Sequence, residues 1–179
     1  MFDPDQLSAD CRSALASDQP SRAVRNIVAR AVSDPAALMQ TLGEPAKGGI
    51  TALHRSPELT IINVIWQPKM VLMPHDHAMW AVIGVYSGRE DNILWRRQTD
   101  APHRIEAAGA KALSNGETIA FGPDVVHSVI NPIPRLTGAI HVYGGDFFGV
   151  ARSEWDPETL LERPYDMEKA LRAFAGQTS

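Results

Sequence analysis

Cysteine is almost absent from this sequence: Cys11 is the only one among 179 residues, so no disulfide can form within the chain. A lone thiol is ordinary in the reducing cytoplasm, and we expect a cytoplasmic protein in which Cys11 packs on a helix. The first residues lack the basic and apolar regions of a signal peptide. No apolar run approaches the roughly 20 residues that a membrane-spanning helix needs. We therefore expect neither a leader segment nor a membrane partner.

Clustered positive charge is also missing. The chain has 17 Lys and Arg against 21 Asp and Glu, a formal net charge of −4, and the basic residues are scattered. Proteins that bind nucleic acid or anionic membranes usually concentrate basic residues, so we expect no nucleic-acid partner. Hydrophobic residues make up 44% of the chain. A chain of this length and composition buries a core as one domain, which we expect to span residues 1–179.

Helical periodicity dominates the first part of the chain. Apolar residues between positions 5 and 42 recur with the spacing of amphipathic helices. Pro20 and Pro35 stand where a second and a third helix would begin, and proline is favoured at the first position of a helix. The pattern predicts a helical N-terminal extension over residues 1–45.

From residue 46 to residue 150 the pattern changes to short β-branched segments separated by Gly, Pro and Asn turns. Many short strands at such spacing are typical of a sandwich or barrel, and we expect an all-β jelly-roll barrel. A tail over residues 151–179 should add a short C-terminal helix. The predicted strands are 59–66, 79–86, 92–97, 104–113, 118–121, 125–130 and 136–143.

The pair His75 and His77 is the first candidate functional feature. Side chains alternate between the two faces of a strand, so two histidines separated by one residue would point the same way. Neutral imidazoles at close range are half of a metal site, and they suit iron, copper, nickel or zinc. The spacing predicts a metal centre at the start of a strand.

A second group of candidate residues lies about fifty positions downstream. If residues 131–135 form the loop of a hairpin centred on Pro134, His127 lies directly opposite His141, and cross-strand partners share a face. Tyr143, two residues after His141, would lie on that face too. The arithmetic predicts that these three side chains meet on one wall of the barrel. A register slip of one residue would turn His141 outward.

These motifs together resemble the two conserved motifs of the cupin superfamily. His75-x-His77 followed by Gly88 resembles the first cupin motif. The segment from Gly116 through Pro123 to His127 and Asn131 resembles the second. The glutamate usual in the first motif is Ala81 here, so the site resembles that of a three-histidine cupin. Within the superfamily, the chain is similar to thiol dioxygenases of the cysteine dioxygenase type. That similarity rests on residues 74–77, 127–131 and 140–143.

The resemblance implies a non-haem iron(II) enzyme that transfers both atoms of O₂ to the sulfur of a small thiol and so forms a sulfinic acid. The thiol would be cysteine, 3-mercaptopropionate or a similar compound. A purified sample could carry nickel, zinc or manganese in place of iron. The protein would act as a monomer or homodimer. The residues implied are His75, His77 and His127 as metal ligands, His141 and Tyr143 in catalysis, Arg55 on a substrate carboxylate, and Trp66 and Trp80 as pocket walls.

The sequence departs from the family pattern at two points, and both leave alternatives open. The family's Ser-x-His-x-Tyr triad has Ala139 in place of its serine. The cysteine that some members crosslink to the active-site tyrosine corresponds to Ala81. One alternative is a three-histidine cupin oxygenase that cleaves carbon–carbon bonds in a more apolar pocket. The other is a metal-binding or ligand-sensing cupin without turnover, because one fold hosts many functions.

Overall fold

The computed structural model describes residues 1–176. Three helices come first, α1 (Pro4–Ala14), α2 (Pro20–Val32) and α3 (Pro35–Leu42), and they confirm the predicted helical extension. Each begins with a proline. The carboxylates of Asp3 and Asp34 cap α1 and α3 by accepting backbone N–H groups of the first turn, which otherwise lack partners.

Antiparallel strands make up most of the remaining chain. They form a five-stranded sheet in the order β1-β2-β9-β4-β7 and a six-stranded sheet in the order β11-β10-β3-β8-β5-β6. Two sheets connected in this way are the jelly-roll barrel of the cupin fold, which confirms the predicted fold class. A short helix, α4 (Met167–Phe174), follows the strands. The strands are β1 (Gly49–Arg55), β2 (Thr60–Trp66), β3 (Val71–His75), β4 (Ala81–Ser87), β5 (Arg89–Arg97), β6 (Ile105–Ser114), β7 (Thr118–Phe121), β8 (Val126–Ile130), β9 (Thr137–Tyr143), β10 (Ser153–Trp155) and β11 (Glu162–Pro164).

All seven predicted strands are present, six of them with shifted ends and β7 with the predicted ends, and four further strands were not predicted. β10 and β11 have three residues each, too few to show a period of two. β3 contains Pro74, and proline in a short run weakens a strand prediction. These short strands lie in the six-stranded sheet, so the sheet extends past residue 150, where the barrel was predicted to end.

The predicted hairpin between β8 and β9 is wrong. β8 pairs with β3 and β5 in one sheet, whereas β9 pairs with β2 and β4 in the other. Residues 131–135 therefore connect the two sheets. His127 lies opposite His75 and Leu94, and His141 lies opposite Ile62 and Ile83.

The three N-terminal helices cover the outer face of the five-stranded sheet. Buried Val24, Val28 and Val32 belong to one apolar cluster with Val82 and other residues of β4 and β9. The inner faces of the two sheets enclose a separate apolar cluster. No helix within residues 1–176 is both long and apolar enough to cross a membrane.

Candidate metal centre

The structure brings His75, His77 and His127 together inside the barrel. All three are buried, and each offers a ring nitrogen to a group in which these atoms lie within 4.8 Å of one another. His75 is the last residue of β3 and pairs directly with His127 on β8. The β3–β8 ladder is irregular between Leu72 and His75. Such a bulge re-aims side chains, and here Leu72 and His75 both line the interior although they are three residues apart.

His77 reaches the interior by a different route from the one predicted. It follows β3 in a loop, so strand alternation does not orient it. The neighbouring Asp76 carboxylate accepts hydrogen bonds from Arg97 Nη2 at 2.8 Å and from Ser153 N at 2.9 Å. Ala78 has a positive φ of 54°, which turns the chain sharply. Asp76 therefore anchors the loop outside the cavity while His77 turns inward.

Hydrogen bonds to backbone and side-chain acceptors orient two of the three imidazoles. His75 Nδ1 lies 2.9 Å from the Met73 carbonyl oxygen, and His127 Nδ1 lies 2.7 Å from Asn92 Oδ1. Each Nδ1 must donate, because both partners only accept, and this leaves a lone pair on Nε2. His127 Nε2 and His77 Nε2 are 3.1 Å apart. Two nitrogens bound to one ion at about 2.1 Å and at right angles would have nearly this separation.

Burial keeps these histidines neutral. Loss of solvation lowers the pKa of His75 to about 4. It also lowers the pKa of His77 and of His127 well below the usual value, and neighbouring imidazoles add to the effect. Neutral imidazole is the form that binds a metal.

The donor set fits a first-row transition ion. Within residues 1–176 the cluster contains three imidazoles and no carboxylate, so calcium and magnesium, which prefer oxygen ligands, are disfavoured. Three neutral ligands leave the full charge of a divalent ion in place. They also leave coordination positions open, as in catalytic rather than structural sites.

The histidines form one side of a small cavity between the two sheets. The space open to the centre of a water molecule is only about 20 Å³. The cavity therefore holds about one water molecule. A large ligand could enter only if side chains moved. Most of the lining is apolar: it includes Ile50, Ile62, Val64, Trp66, Leu72, Val129, Phe147 and Phe174, with the polar groups of His141, Tyr143 and Tyr165.

Tyr143 and His141 both face this cavity, on the same side of β9. The Tyr143 hydroxyl lies 3.0 Å from His141 Nδ1, and its ring stacks on Phe147 with 4.2 Å between centroids. The Tyr143 and His77 ring centroids are 5.0 Å apart. Burial raises the pKa of the Tyr143 hydroxyl, so the group stays protonated at neutral pH.

The structure does not bring Arg55 or Trp80, the two predicted substrate-binding residues, to the cavity. Arg55 lies on the edge strand β1, where its half-exposed guanidinium pairs with Asp146 at 2.8 and 2.9 Å. Trp80 packs with the helix-side cluster, while its neighbours Met79 and Ala81 face the barrel interior. Trp80, the residue before β4, therefore faces the helices and not the cavity. Trp66, which was considered with Trp80, does line the cavity.

Arg152 is the cation that the structure places beside the cavity. Its guanidinium lies between the rings of Phe147 and Tyr165, at 4.1 and 4.2 Å from their centroids, and both rings line the cavity. Nη1 donates to the Phe147 carbonyl. Nε and Nη2 are buried and make no hydrogen bond within residues 1–176, although the guanidinium is close enough to the Tyr165 hydroxyl to oppose the rise of its pKa on burial.

Sequence reasoning missed three polar residues of this region. Arg152 lies beyond the predicted end of the barrel. Glu90 and Asn92, whose side chains contact His141 and His127, lie on β5, whose predicted start at residue 92 was three residues too late. In the structure Glu90 and Asn92 are buried and alternate with more exposed neighbours, a difference that the sequence of this segment does not show.

No sequence-family model matches the chain. Solved structures similar to it include DMSP lyase DddQ from Ruegeria pomeroyi DSS-3, at 15% identity and a TM-score of 0.48 over 63% of this chain and 53% of that one. A Cupin 2 conserved barrel domain protein from Salinispora arenicola CNS-205 is 15% identical, with a TM-score of 0.42 over 52% and 72% of the two chains. An oxalate oxidase in complex with glycolate is 13% identical, with a TM-score of 0.44 over 57% and 53%. At identities of 13–15% such likenesses concern the fold and not the activity.

Proposed function

We propose that the protein is a non-haem iron(II)-dependent dioxygenase that oxidises a small thiol, such as cysteine or 3-mercaptopropionate, to its sulfinic acid. The observation that carries the proposal is the convergence of three neutral imidazoles and the Tyr143 hydroxyl on one small cavity. In this reaction the thiol and O₂ combine without other reactants. Sulfur loses four electrons, O₂ gains them, and both oxygen atoms remain in the product.

His75, His77 and His127 would hold the iron. When bound there, iron(II) would supply the redox chemistry that joins O₂ to the thiol sulfur. The protein would contribute a water-poor cavity and fixed polar groups around the reacting atoms. Tyr143, oriented by His141, would hydrogen-bond to the substrate through its hydroxyl, and a preorganised group of this kind acts strongly where water is excluded.

The buried guanidinium of Arg152 supports a substrate with an acidic group. Unpaired N–H donors of a charged group are costly to bury, so two such donors beside a cavity favour an anionic ligand. A carboxylate would accept both in the paired geometry typical of arginine. Phe147 and Tyr165 already fix the plane of the guanidinium.

The register of β10 supports a position for Arg152 beside the metal ligands. Glu154 pairs with His75, and Asp76 N donates to Ser153 O at 3.1 Å. Arg152 comes immediately before Ser153. Beyond the effect of burial, its positive charge helps to lower the pKa of both His75 and His77, so it lies close to the metal ligands. A carboxylate held by Arg152 would thus leave a thiol two or three bonds away near the three histidines. We therefore assign the carboxylate-binding role to Arg152 instead of Arg55.

The largely apolar lining also fits the rival enzyme, a three-histidine oxygenase that cleaves carbon–carbon bonds. The size of the cavity does not separate the two enzymes, because a small thiol also needs more room than one water molecule. A diketone, however, has no need of the Arg152 guanidinium. A cupin that binds metal without turnover remains the alternative outside enzymes, and activity measurements separate the three.

The test is oxygen uptake by the iron-loaded protein over a panel that contains 3-mercaptopropionate, cysteine, cysteamine and a small β-diketone. We expect uptake with an acid-bearing thiol, one O₂ per thiol, and weaker activity with cysteamine. Uptake with the diketone alone would establish the carbon–carbon-cleaving enzyme. If iron is bound but no compound causes oxygen uptake, the result would favour the non-catalytic cupin.

A further inference from the structure

Glu90 is a fully buried carboxylate whose partners all come from the barrel interior. Its exposed fraction is 0%. Oε2 lies 2.8 Å from Trp66 Nε1 and 3.2 Å from His141 Nε2, and Oε1 lies 3.1 Å from Asn92 Nδ2. Within residues 1–176 no lysine or arginine forms a salt bridge with it. A carboxylate buried in this way is costly unless its hydrogen bonds are satisfied, and here three side chains satisfy it.

Hydrogen bonds extend from Glu90 in two directions and reach the cavity at both ends. Through His141 the chain continues to the Tyr143 hydroxyl at 3.0 Å. Through Asn92 it continues to His127 Nδ1 at 2.7 Å. Hydrogen bonds thus connect the Glu90 carboxylate both to His127, a predicted metal ligand, and to Tyr143.

With Glu90 ionised and His141 neutral, the chemistry of the partners sets the direction of every hydrogen bond in this network. A carboxylate only accepts, so Asn92 must turn its NH₂ group toward Glu90 and its carbonyl oxygen toward His127. An amide oxygen also only accepts, so the His127 proton lies on Nδ1 and the Nε2 lone pair is free for an ion. By the same reasoning His141 carries its proton on Nε2. Its Nδ1 then accepts from the Tyr143 O–H, which leaves the tyrosine oxygen to accept a hydrogen bond in the cavity.

We infer that Glu90 is a positioning residue that fixes the tautomers of His127 and His141 and, through His141, the direction of the Tyr143 hydroxyl. The consequence for turnover rests on the proposed function, whereas the tautomers do not depend on it. Removal of the hydrogen-bond partner of a metal-binding histidine usually lowers metal affinity or activity by about 10–100-fold.

Nitrogen-15 NMR of the histidine rings in the zinc-loaded, diamagnetic protein tests the inference without any variant. Each ring nitrogen is read as protonated or as carrying a lone pair or metal. We expect the proton of His127 on Nδ1 and a protonated Nε2 on His141. A lone pair on His127 Nδ1 or on His141 Nε2 would overturn the inference.

The variant Glu90→Gln tests the consequence, because its amide nitrogen donates where the carboxylate accepted. One arm of the chain must then reverse or break, and we expect a changed His127 or His141 spectrum. We also expect roughly tenfold or larger loss in metal affinity or in kcat. Glu106→Gln, which alters a surface carboxylate paired with Arg96, is the matched control. Its ring spectra, metal affinity and kcat should equal those of the parent protein.

If Glu90→Gln matched the parent in ring spectra and in metal affinity, Glu90 would have no positioning role. These two readouts need no substrate, so they remain decisive even if the parent protein oxidises no thiol. A parent protein that oxidises no thiol would contradict the proposed function, but not the positioning role of Glu90. Should Glu90→Gln fail to fold, the tautomers of the parent protein decide the question.

Discussion

His75 and His127 are directly opposed partners on β3 and β8, with 4.6 Å between their ring centroids. Sheet pairing therefore joins the first histidine motif to the second. An antiparallel pair of this kind holds its side chains on one face at short range. The site is built into the six-stranded sheet, and His77 joins it from the loop that Asp76 anchors.

The first prediction concerns the metal. His75→Ala, His77→Ala and His127→Ala should each lose most of the bound transition metal, because each removes one of three neutral donors. Elemental analysis of the purified variants measures this. His103→Ala, at an exposed histidine, is the control and should keep the parent's metal content. Full retention in all three site variants would place the metal elsewhere.

The second prediction concerns Arg152. Arg152→Gln should weaken the binding of an acid-bearing thiol by about 1.5–3 kcal/mol, the usual contribution of a hydrogen bond to a charged group. Cysteamine, which has no carboxylate, should respond little. The ratio of kcat/KM values for the two thiols is the measurement.

Arg55→Gln serves as the matched control for this comparison, because its guanidinium pairs with Asp146 at the surface. It should leave the ratio unchanged. If the Arg55 variant lost selectivity and the Arg152 variant kept it, the original assignment of the carboxylate to Arg55 would be restored.

The third prediction concerns Tyr143. Tyr143→Phe removes only the hydroxyl, so the fold and the metal content should survive. We expect kcat to fall by a factor on the order of ten to a thousand, as for other single preorganised groups. Tyr86→Phe makes the same change at a buried tyrosine that bonds to Asn63 away from the cavity. Equal kcat values for both variants and the parent would make Tyr143 a packing residue.

The fourth prediction concerns the packing of the helices on the barrel. A Cβ atom at Gly84 would lie 2.5 Å from Val28 Cγ1 and 2.9 Å from Val32 Cγ1, so α2 must move. Gly84→Ala should lower the free energy of unfolding by about 1–3 kcal/mol, as overpacking usually does. Chemical denaturation measures the loss. Gly109→Ala, where a Cβ meets nothing within 4 Å, should be close to neutral, and equal values for the two would contradict the tight packing.

Local patterns in the sequence predicted seven of the eleven strands and the three histidines, but not the pairing of the strands. A short loop before β9 is typical of a hairpin, yet Pro132 and Pro134 offer no N–H for a ladder, and the chain crosses to the other sheet. His141 and Tyr143 still face His127, because inward positions of both sheets meet inside a barrel. The prediction that the three side chains meet on one wall is therefore wrong, but they line the same cavity from opposite sheets.

Glu90, Asn92 and Arg152 could not be assigned from local sequence for a related reason. Their partners lie 2 to 51 residues away along the chain, and only the folded barrel brings most of them together. Charged residues in a predicted strand are usually solvated. A buried carboxylate and a buried guanidinium become visible as site residues only when burial and partners are known.

The most direct test of the thiol dioxygenase is the fate of isotopically labelled O₂. Iron-loaded protein and 3-mercaptopropionate should give a sulfinic acid in which both oxygen atoms on sulfur carry the label, as read by mass spectrometry. A sulfinic acid with one labelled oxygen and one from water, or a thiol recovered only as its disulfide, would contradict the proposed reaction.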